Sequence, residues 1–390
     1  MNEPKLRFPE FTGEWEEKKL GEECEITAGG DIPKEKISKE KTEIYKVPII
    51  SNGIGNNAIY GYTDSPKITQ AAITISARGT IGYAEYREYP YYPIVRLLSV
   101  FPKDSTSLNT KYLSYILSIQ KYDVTNAGIP QLTVPMIGSV IFHIPPSPAE
   151  QDKIASCLSA MDDLIAAQAE KVEALKEKKT GLMQQLFPQP GETTPRLRFP
   201  GFTEEWVECT LGEVGDVCMC KRVMKGETNS TSGIPFYKIG TFGKTPDAYI
   251  PKELFLEYKK KYSYPSKGDI LFSAAGTIGR CVVFDGEPAY FQDSNIVWIS
   301  NDEKKVHNSF LKYIYSFIDW KIDDGGIVKR LYNDSIRKTS FLKPSSEEQQ
   351  KIADCLSELD DLIASETKQL EALKYHKKGL MQQLFPQTAK

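Results

Sequence analysis

The chain has 390 residues, 40% hydrophobic and 26% charged, with a formal net charge of −3; that is too long for one ordinary core and suits two soluble globular domains with connections. No stretch reads as a membrane span, and Met1 to Phe11 mixes charges, Pro4 and Pro9 with apolar residues, unlike a signal peptide, so a cytoplasmic protein without membrane contact is expected. The charge is uneven and gives no blanket signal for nucleic acid: Gly21 to Ser147 carries 12 Lys/Arg against 12 Asp/Glu, a balance of zero, and Val214 to Lys343 carries 20 against 15, or +5, so any DNA binding must use local patches or a partner's charge.

The chain repeats itself. Pro4 to Glu22 (PKLRFPEFTGEWEEKKLGE) returns as Pro195 to Glu213 (PRLRFPGFTEEWVECTLGE), and Glu150 to Gln189 returns, about two-thirds identical and without a gap, as Glu348 to Gln387. Repeats of this length define structural units, each a leading segment, a globular region and a long helix. The globular regions are less alike. Tyr45 to Ser51, Gln70 to Ser76, Ile234 to Gly240 and Asp269 to Phe272 read as short strands, and Thr110 to Ile119 and Ser309 to Phe317 as short helices. One landmark recurs in both, Ser76-Ala77-Arg78-Gly79-Thr80-Ile81-Gly82 and Ser273-Ala274-Ala275-Gly276-Thr277-Ile278-Gly279, an apolar strand entering a glycine-bounded hairpin turn.

Each long helix starts at an S-x-x-E capping box, Ser147 with Glu150 and Ser345 with Glu348, and stops at Leu-Phe-Pro. Apolar residues recur at four- and three-residue steps: Ile154, Leu158, Met161, Ile165, Val172, Leu175, Leu182 and Leu186, then Ile352, Leu356, Leu359, Ile363, Leu370, Leu373, Leu380 and Leu384. That is a coiled-coil seam over roughly 36 residues, or roughly 54 Å. The nearest partner for each copy is the other, and an antiparallel pair makes the two environments equivalent. Ile154 then faces Leu384, Leu186 faces Ile352, and Met1 falls near the tail of the second helix. Gln168, Lys179, Glu366 and Lys377 face Leu370, Leu359, Val172 and Met161, with the charges snorkelling to solvent. Gly181 and Gly379, inside the helical pattern, suggest a close backbone approach. Asp162-Asp163 and Asp360-Asp361 point to different faces and suit solvent or a partner rather than catalysis.

The expected fold class is therefore α+β, with two strand-rich globular domains separated by an intramolecular antiparallel coiled coil in a pseudo-two-fold repeat. Its parts are a first domain at 1–146, a first spacer helix at 147–188, a linker and second domain at 189–344 and a second spacer helix at 345–390.

Motifs for chemistry are weak. Pro246-Asp247 with Glu257-Tyr258-Lys259 matches a nuclease pattern in letters, but lies in a charged surface stretch with no counterpart in the first unit. Gly243-Lys244-Thr245 lacks the earlier glycine of a phosphate loop, and Gly53 to Ala58 resembles a dinucleotide fingerprint without a following helix. No NPPY-like or DPPY-like tetrapeptide of aminomethyltransferases occurs, and His143, His307 and His376 form no pair. The seven cysteines read as reduced thiols, with Cys157 and Cys355 as packing residues; Cys209, Cys218, Cys220 and Cys281 do not make a zinc pattern. No catalytic or metal site is expected. For DNA, arginine reads guanine and asparagine or glutamine reads adenine, while lysine mostly meets phosphate. The candidates are Asn52, Asn56, Asn57, Arg78 and Gln131 in the first region and Lys221, Arg222, Lys238, Arg280, Lys329 and Arg330 in the second.

Three features together resemble the specificity subunit of type I restriction-modification systems. They are the helical repeats opening Pro-x-x-x-Glu-Gln-x-Lys-Ile (Pro146 to Ile154 and Pro344 to Ile352), the twin RFPxFTxEW segments (Arg7 to Trp15 and Arg198 to Trp206), and the SAxGTIG landmarks. Order, spacing and duplication agree over nearly the whole chain. The resemblance implies a non-catalytic subunit whose two target-recognition domains each read one half of a bipartite, asymmetric double-stranded DNA site. The coiled coil acts as a ruler and seats two methyltransferase subunits. Those partners carry S-adenosylmethionine and methylate adenine; a restriction subunit, a motor-nuclease using ATP and Mg, joins for cleavage. The alternative class is a coiled-coil scaffold that joins proteins without reading DNA.

Overall fold

The computed structural model describes residues 3–32, 35–122, 130–320 and 330–386. Two compact units emerge, Met1–Glu170 with Thr367–Lys390, and Lys171–Glu366. Each unit owns one globular region and half of each long helix, so the boundary cuts through both helices rather than between helix and domain.

Within the first unit a four-stranded antiparallel sheet runs in the order Cys24–Ala28, Leu98–Pro102, Ala72–Ile75, Ala84–Arg87. In the second the order is Gly215–Cys218, Ile296–Asn301, Ile270–Ser273, Cys281–Val283. The inner strands Ala72–Ile75, Leu98–Pro102, Ile270–Ser273 and Ile296–Asn301 are buried over nearly their whole length because both faces are covered. Ile73, Ile75, Leu98 and Val100 meet the helix Thr110–Ile119, whereas Ala72, Leu97 and Phe101 face a separate core with Ile50 and Tyr91. The second unit alternates in the same way: Ile270, Phe272, Val297 and Ile299 turn to the helix Asn308–Ile314, and Leu271, Ile296 and Trp298 to an aromatic core. Strand alternation puts successive side chains on opposite faces. A second sheet, four-stranded in the first unit and three-stranded in the second, contains Val47–Ile50 or Ile234–Tyr237, each with a parallel neighbour.

The charged stretch Lys252–Lys261 is a helix, with Phe255 as its buried anchor. Its single fully buried side chain explains why periodicity did not reveal it.

The leading segments are tied to the helix starts by ion pairs. In the first unit, Arg7 Nε and Nη2 donate to Glu150 Oε1 and Oε2 at 2.8 and 2.9 Å. In the second, Arg198 grips Glu348 with the same two atoms at 2.7 and 2.8 Å. The helices run Pro148–Leu186 and Ser346–Leu384. Ser345 Oγ accepts from the Glu348 amide at 3.4 Å, and the Ser147 carbonyl accepts from the Glu150 amide at 3.0 Å. The glutamates, expected to fold back onto the caps, are instead drawn to arginine, because a buried carboxylate gains more from a bidentate guanidinium than from one backbone amide. The adjacent glutamines complete the anchor. Gln151 accepts from the Asn109 amide and donates to the Ser107 carbonyl, and Gln349 accepts from the His307 amide and donates to the Lys305 carbonyl.

The antiparallel pairing is visible inside each unit. In the first, Ile154 and Leu158 share a core with Met381, Leu384 and Phe385, and Lys377 pairs with Asp162. In the second, Leu186 and Phe187 pack with Ile352, Ala353 and Leu356, and Lys179 pairs with Asp360. Met1 lies outside the described residues, but the Leu6 amide donates to the Gln383 carbonyl at 3.0 Å, as Leu197 does to Gln185 at 2.9 Å.

Ile154, Leu158, Val172, Ile352, Leu356 and Leu370 are buried; Met161, Ile165, Leu175, Leu182, Leu359, Ile363, Leu373 and Leu380 are half-buried. Two further expectations are corrected. The polar seam residues do not reach for solvent: Lys179 and Lys377 find aspartates on the opposing helix, Lys171 donates to Glu366 at 2.6 Å, and Gln168 and Glu366 are buried. Nor do Gly181 and Gly379 allow a close approach, since a Cβ built at either meets nothing within 4 Å.

Candidate nucleic-acid interface

The hairpin landmark forms a tip of the same construction in each unit. Gly79 and Gly82 adopt φ of 70° and 84°, and Gly276 and Gly279 adopt 67° and 79°, a region costly for residues with a Cβ. An aromatic ring lies against the last glycine: a Cβ on Gly82 would come within 2.8 Å of Tyr122, and one on Gly279 within 2.6 Å of Trp320. Amides of Gly82 and Gly279 close the turn onto the carbonyls of Ser76 and Ser273, both at 2.9 Å. A second segment crosses the tip, with Leu132 donating to the Ala77 carbonyl at 3.0 Å and Leu331 to the Ala274 carbonyl at 2.8 Å.

Around the first tip, Arg78 is exposed and bonded to Gln131: its Nε and Nη2 donate to Gln131 Oε1 at 3.0 and 2.6 Å. The structure thus joins two candidates 53 residues apart. Asn52 has a different occupation. Its Oδ1 accepts from the Ala77 amide at 2.7 Å and its Nδ2 donates to the Val95 carbonyl at 2.8 Å, so both ends of the amide hold the loops rather than face outward. Asn56 and Asn57 are exposed on the 3-10 turn Gly55–Ala58, which runs directly into the strand Ile59–Thr63, a path with no room for a dinucleotide-binding helix. Arg96 was not foreseen. It is exposed beside Val95, and both adopt left-handed backbone, at φ 60° and 52°, a conformation without a sequence signature in these residue types.

Around the second tip, Arg330 forms a bridge with Ala275 and donates from Nη2 to the Ser294 carbonyl at 2.6 Å. Arg280 donates to the Phe242 carbonyl at 3.3 Å, Arg222 to Asp293 at 2.9 Å, and Lys238 pairs with Asp247 at 2.9 Å. Lys221 is exposed, its ammonium 5.2 Å from the Tyr262 ring centre. Lys329 lies outside the described residues. Arg222 and Lys238 thus each have an acidic partner, which offsets their charge.

The nuclease-like letters resolve into separate ion pairs, Asp247 with Lys238 and Glu257 with Lys261, both at 2.9 Å. Asp162 and Asp360 work inside the units. Tyr115 Oη donates to Asp162 at 2.8 Å, and Lys312 and Tyr313 donate to Asp360 at 2.7 and 2.9 Å, in addition to the opposing-helix lysines. Burial pushes the Cys24, Cys220 and Cys281 thiols up to about 12, which keeps them protonated and poor nucleophiles.

A family model described as type I restriction modification DNA specificity domain matches residues 12–177 and again residues 203–375. A putative type I restriction enzyme specificity subunit of Haemophilus influenzae is 58% identical over 160 residues, covering 41% of this chain and 42% of that protein. A putative type I specificity subunit of Mycoplasma pneumoniae is 35% identical over 136 residues, covering 35% and 36%. The chain thus spans less than half the length of these curated relatives. A putative type I restriction enzyme specificity subunit of Methanocaldococcus jannaschii aligns over 98% of this chain and 96% of its own at 25% identity. In fold, the crystal structure of a type I restriction-modification S subunit from M. genitalium covers 99% of this chain and 100% of its own, with a TM-score of 0.66 and 18% identity.

Proposed function

The chain belongs to the family of type I restriction-modification DNA specificity domains, and from that premise we propose that it is the specificity subunit of such a system, each unit reading one half of a bipartite, asymmetric duplex DNA site. The observation that carries this is an internal scaffold repeated in both units beneath globular regions of unlike sequence. Both units repeat the Arg–Glu clamp, the buried glutamine and the turn geometry, yet the globular regions between them differ in sequence and in net charge, zero for Gly21 to Ser147 against +5 for Val214 to Lys343. One framework bearing two unlike surfaces suits recognition of two unlike half-sites, since base contacts specify while backbone contacts position.

In this proposal the paired helices set the spacer and help seat two methyltransferase subunits, which bind S-adenosylmethionine and methylate adenine. A restriction subunit using ATP and Mg completes the cleaving complex, and the present chain contributes recognition without catalysis. The test is genome-wide mapping of methylated adenine with and without this gene. A split methylation motif should vanish on deletion; its persistence, or the absence of any split motif in the parent, leaves the protein-joining scaffold as the better account.

A further inference from the structure

The two tips share a backbone and differ in where an arginine comes from. The matching bonds of Leu132 to Ala77 and Leu331 to Ala274 align Gln131 with Arg330 and Arg78 with Ala275. In the first unit the hairpin supplies the arginine, Arg78, and the crossing segment supplies Gln131; in the second the hairpin supplies Ala275 and the crossing segment supplies Arg330. Each tip therefore presents one arginine at this junction, from opposite sides of it.

Both guanidiniums are braced. Gln131 Oε1 takes two protons from one edge of Arg78, at Nε and Nη2, and the Ser294 carbonyl takes one from Arg330 Nη2. A guanidinium has five donors in a rigid plane, so Gln131 leaves Arg78 the pair at its far end, on Nη1 and Nη2, which no other described residue engages. That pair has the spacing to donate to guanine O6 and N7 together in the major groove. Bracing restricts the plane in which the fork lies, which matters for a bidentate base contact and little for a phosphate, where a mobile lysine serves as well.

We propose that Arg78 and Arg330 are the guanine-reading residues of their units, with Gln131 a positioning residue that fixes the Arg78 plane. This rests on the half-site reading above and adds that each half-site contains a guanine read from this junction. Displacing the arginine from hairpin to crossing segment moves the reading point, so two similar scaffolds need not read the same base position.

The test introduces Arg78→Ala, Arg78→Lys, Gln131→Ala and Arg330→Ala singly into the full chain, expressed with its methyltransferase subunits, and maps methylated adenine. Arg78→Ala should relax one G·C position of one half-site, by about 10- to 100-fold in preference, with the other half-site unchanged. Arg330→Ala should do the same in the other half. Arg78→Lys should not restore the preference, and Gln131→Ala should relax the Arg78 position partially. The intact second half-motif reports that each variant is folded. An unchanged motif, a uniform loss over all sites, or full restoration by Arg78→Lys overturns the proposal, the last two marking a phosphate or charge-only role. Failure of the unmodified chain to direct any split motif instead overturns the function on which it rests.

Discussion

Arg7 is a residue whose work is hidden from local sequence, because its partner Glu150 lies 143 positions away. The Glu150 side chain is 1% exposed, and removing one member of a buried pair leaves a charge without compensation, at a cost of about 3 to 5 kcal/mol. Arg7→Ala should therefore destabilise the first unit by about 3 kcal/mol, with Arg7→Lys recovering only part, since an ammonium cannot reproduce the fork. Urea unfolding followed by tryptophan fluorescence checks this through Trp15, which is buried in the core of the first unit. Exchanging Arg7 and Glu150 together for apolar residues should cost less than Arg7→Ala alone; a larger loss would mean that the pair itself, not the orphaned carboxylate, dominates. The recurring Arg and Glu-Gln letters were legible as repeats. Their bonding was not, because identity of spacing says nothing about which repeated elements meet.

At the scale of the element, the long helices were the most legible part, since a seam sustained over many turns has few other meanings. What escaped was the fate of the polar positions. Asp360 is partly buried, which raises its carboxyl, but hydrogen bonds from Lys179, Lys312 and Tyr313 outweigh that and hold it below its ordinary value. A carboxyl lowered by folding adds stability above its unfolded pKa, and that stability is lost as pH falls through the lowered value. Asp360→Asn should therefore flatten the acid limb of the second unit's stability curve; urea midpoints between about pH 7 and pH 3 measure it, and an unaltered slope would refute the clamp. The helix glycines give the opposite sign. With open space at Gly181 and Gly379, Gly→Ala at either should raise stability by about 0.5 to 1 kcal/mol, and a loss in thermal unfolding would revive the close approach that the sequence suggested.

For the molecule as a whole, two units with separate cores predict separable recognition. Replacing residues 21–147 by the corresponding region of another specificity subunit should change one half of the methylation motif and leave the other; a change in both halves contradicts the modular reading. The duplication, the α+β class and the antiparallel seam were legible before folding, because each is written in periodicity and repetition, which survive without knowing any long-range contact. Tertiary structure alone decided that the helix-start glutamates serve arginine rather than their caps, that Asn52 is spent on the Ala77 and Val95 backbones, and that Arg78 meets Gln131 while Arg330 meets Ala275 and Ser294. Those outcomes depend on which loops the folded strands bring together, and hydrogen bonds and ion pairs form between neighbours in space whatever their distance along the chain.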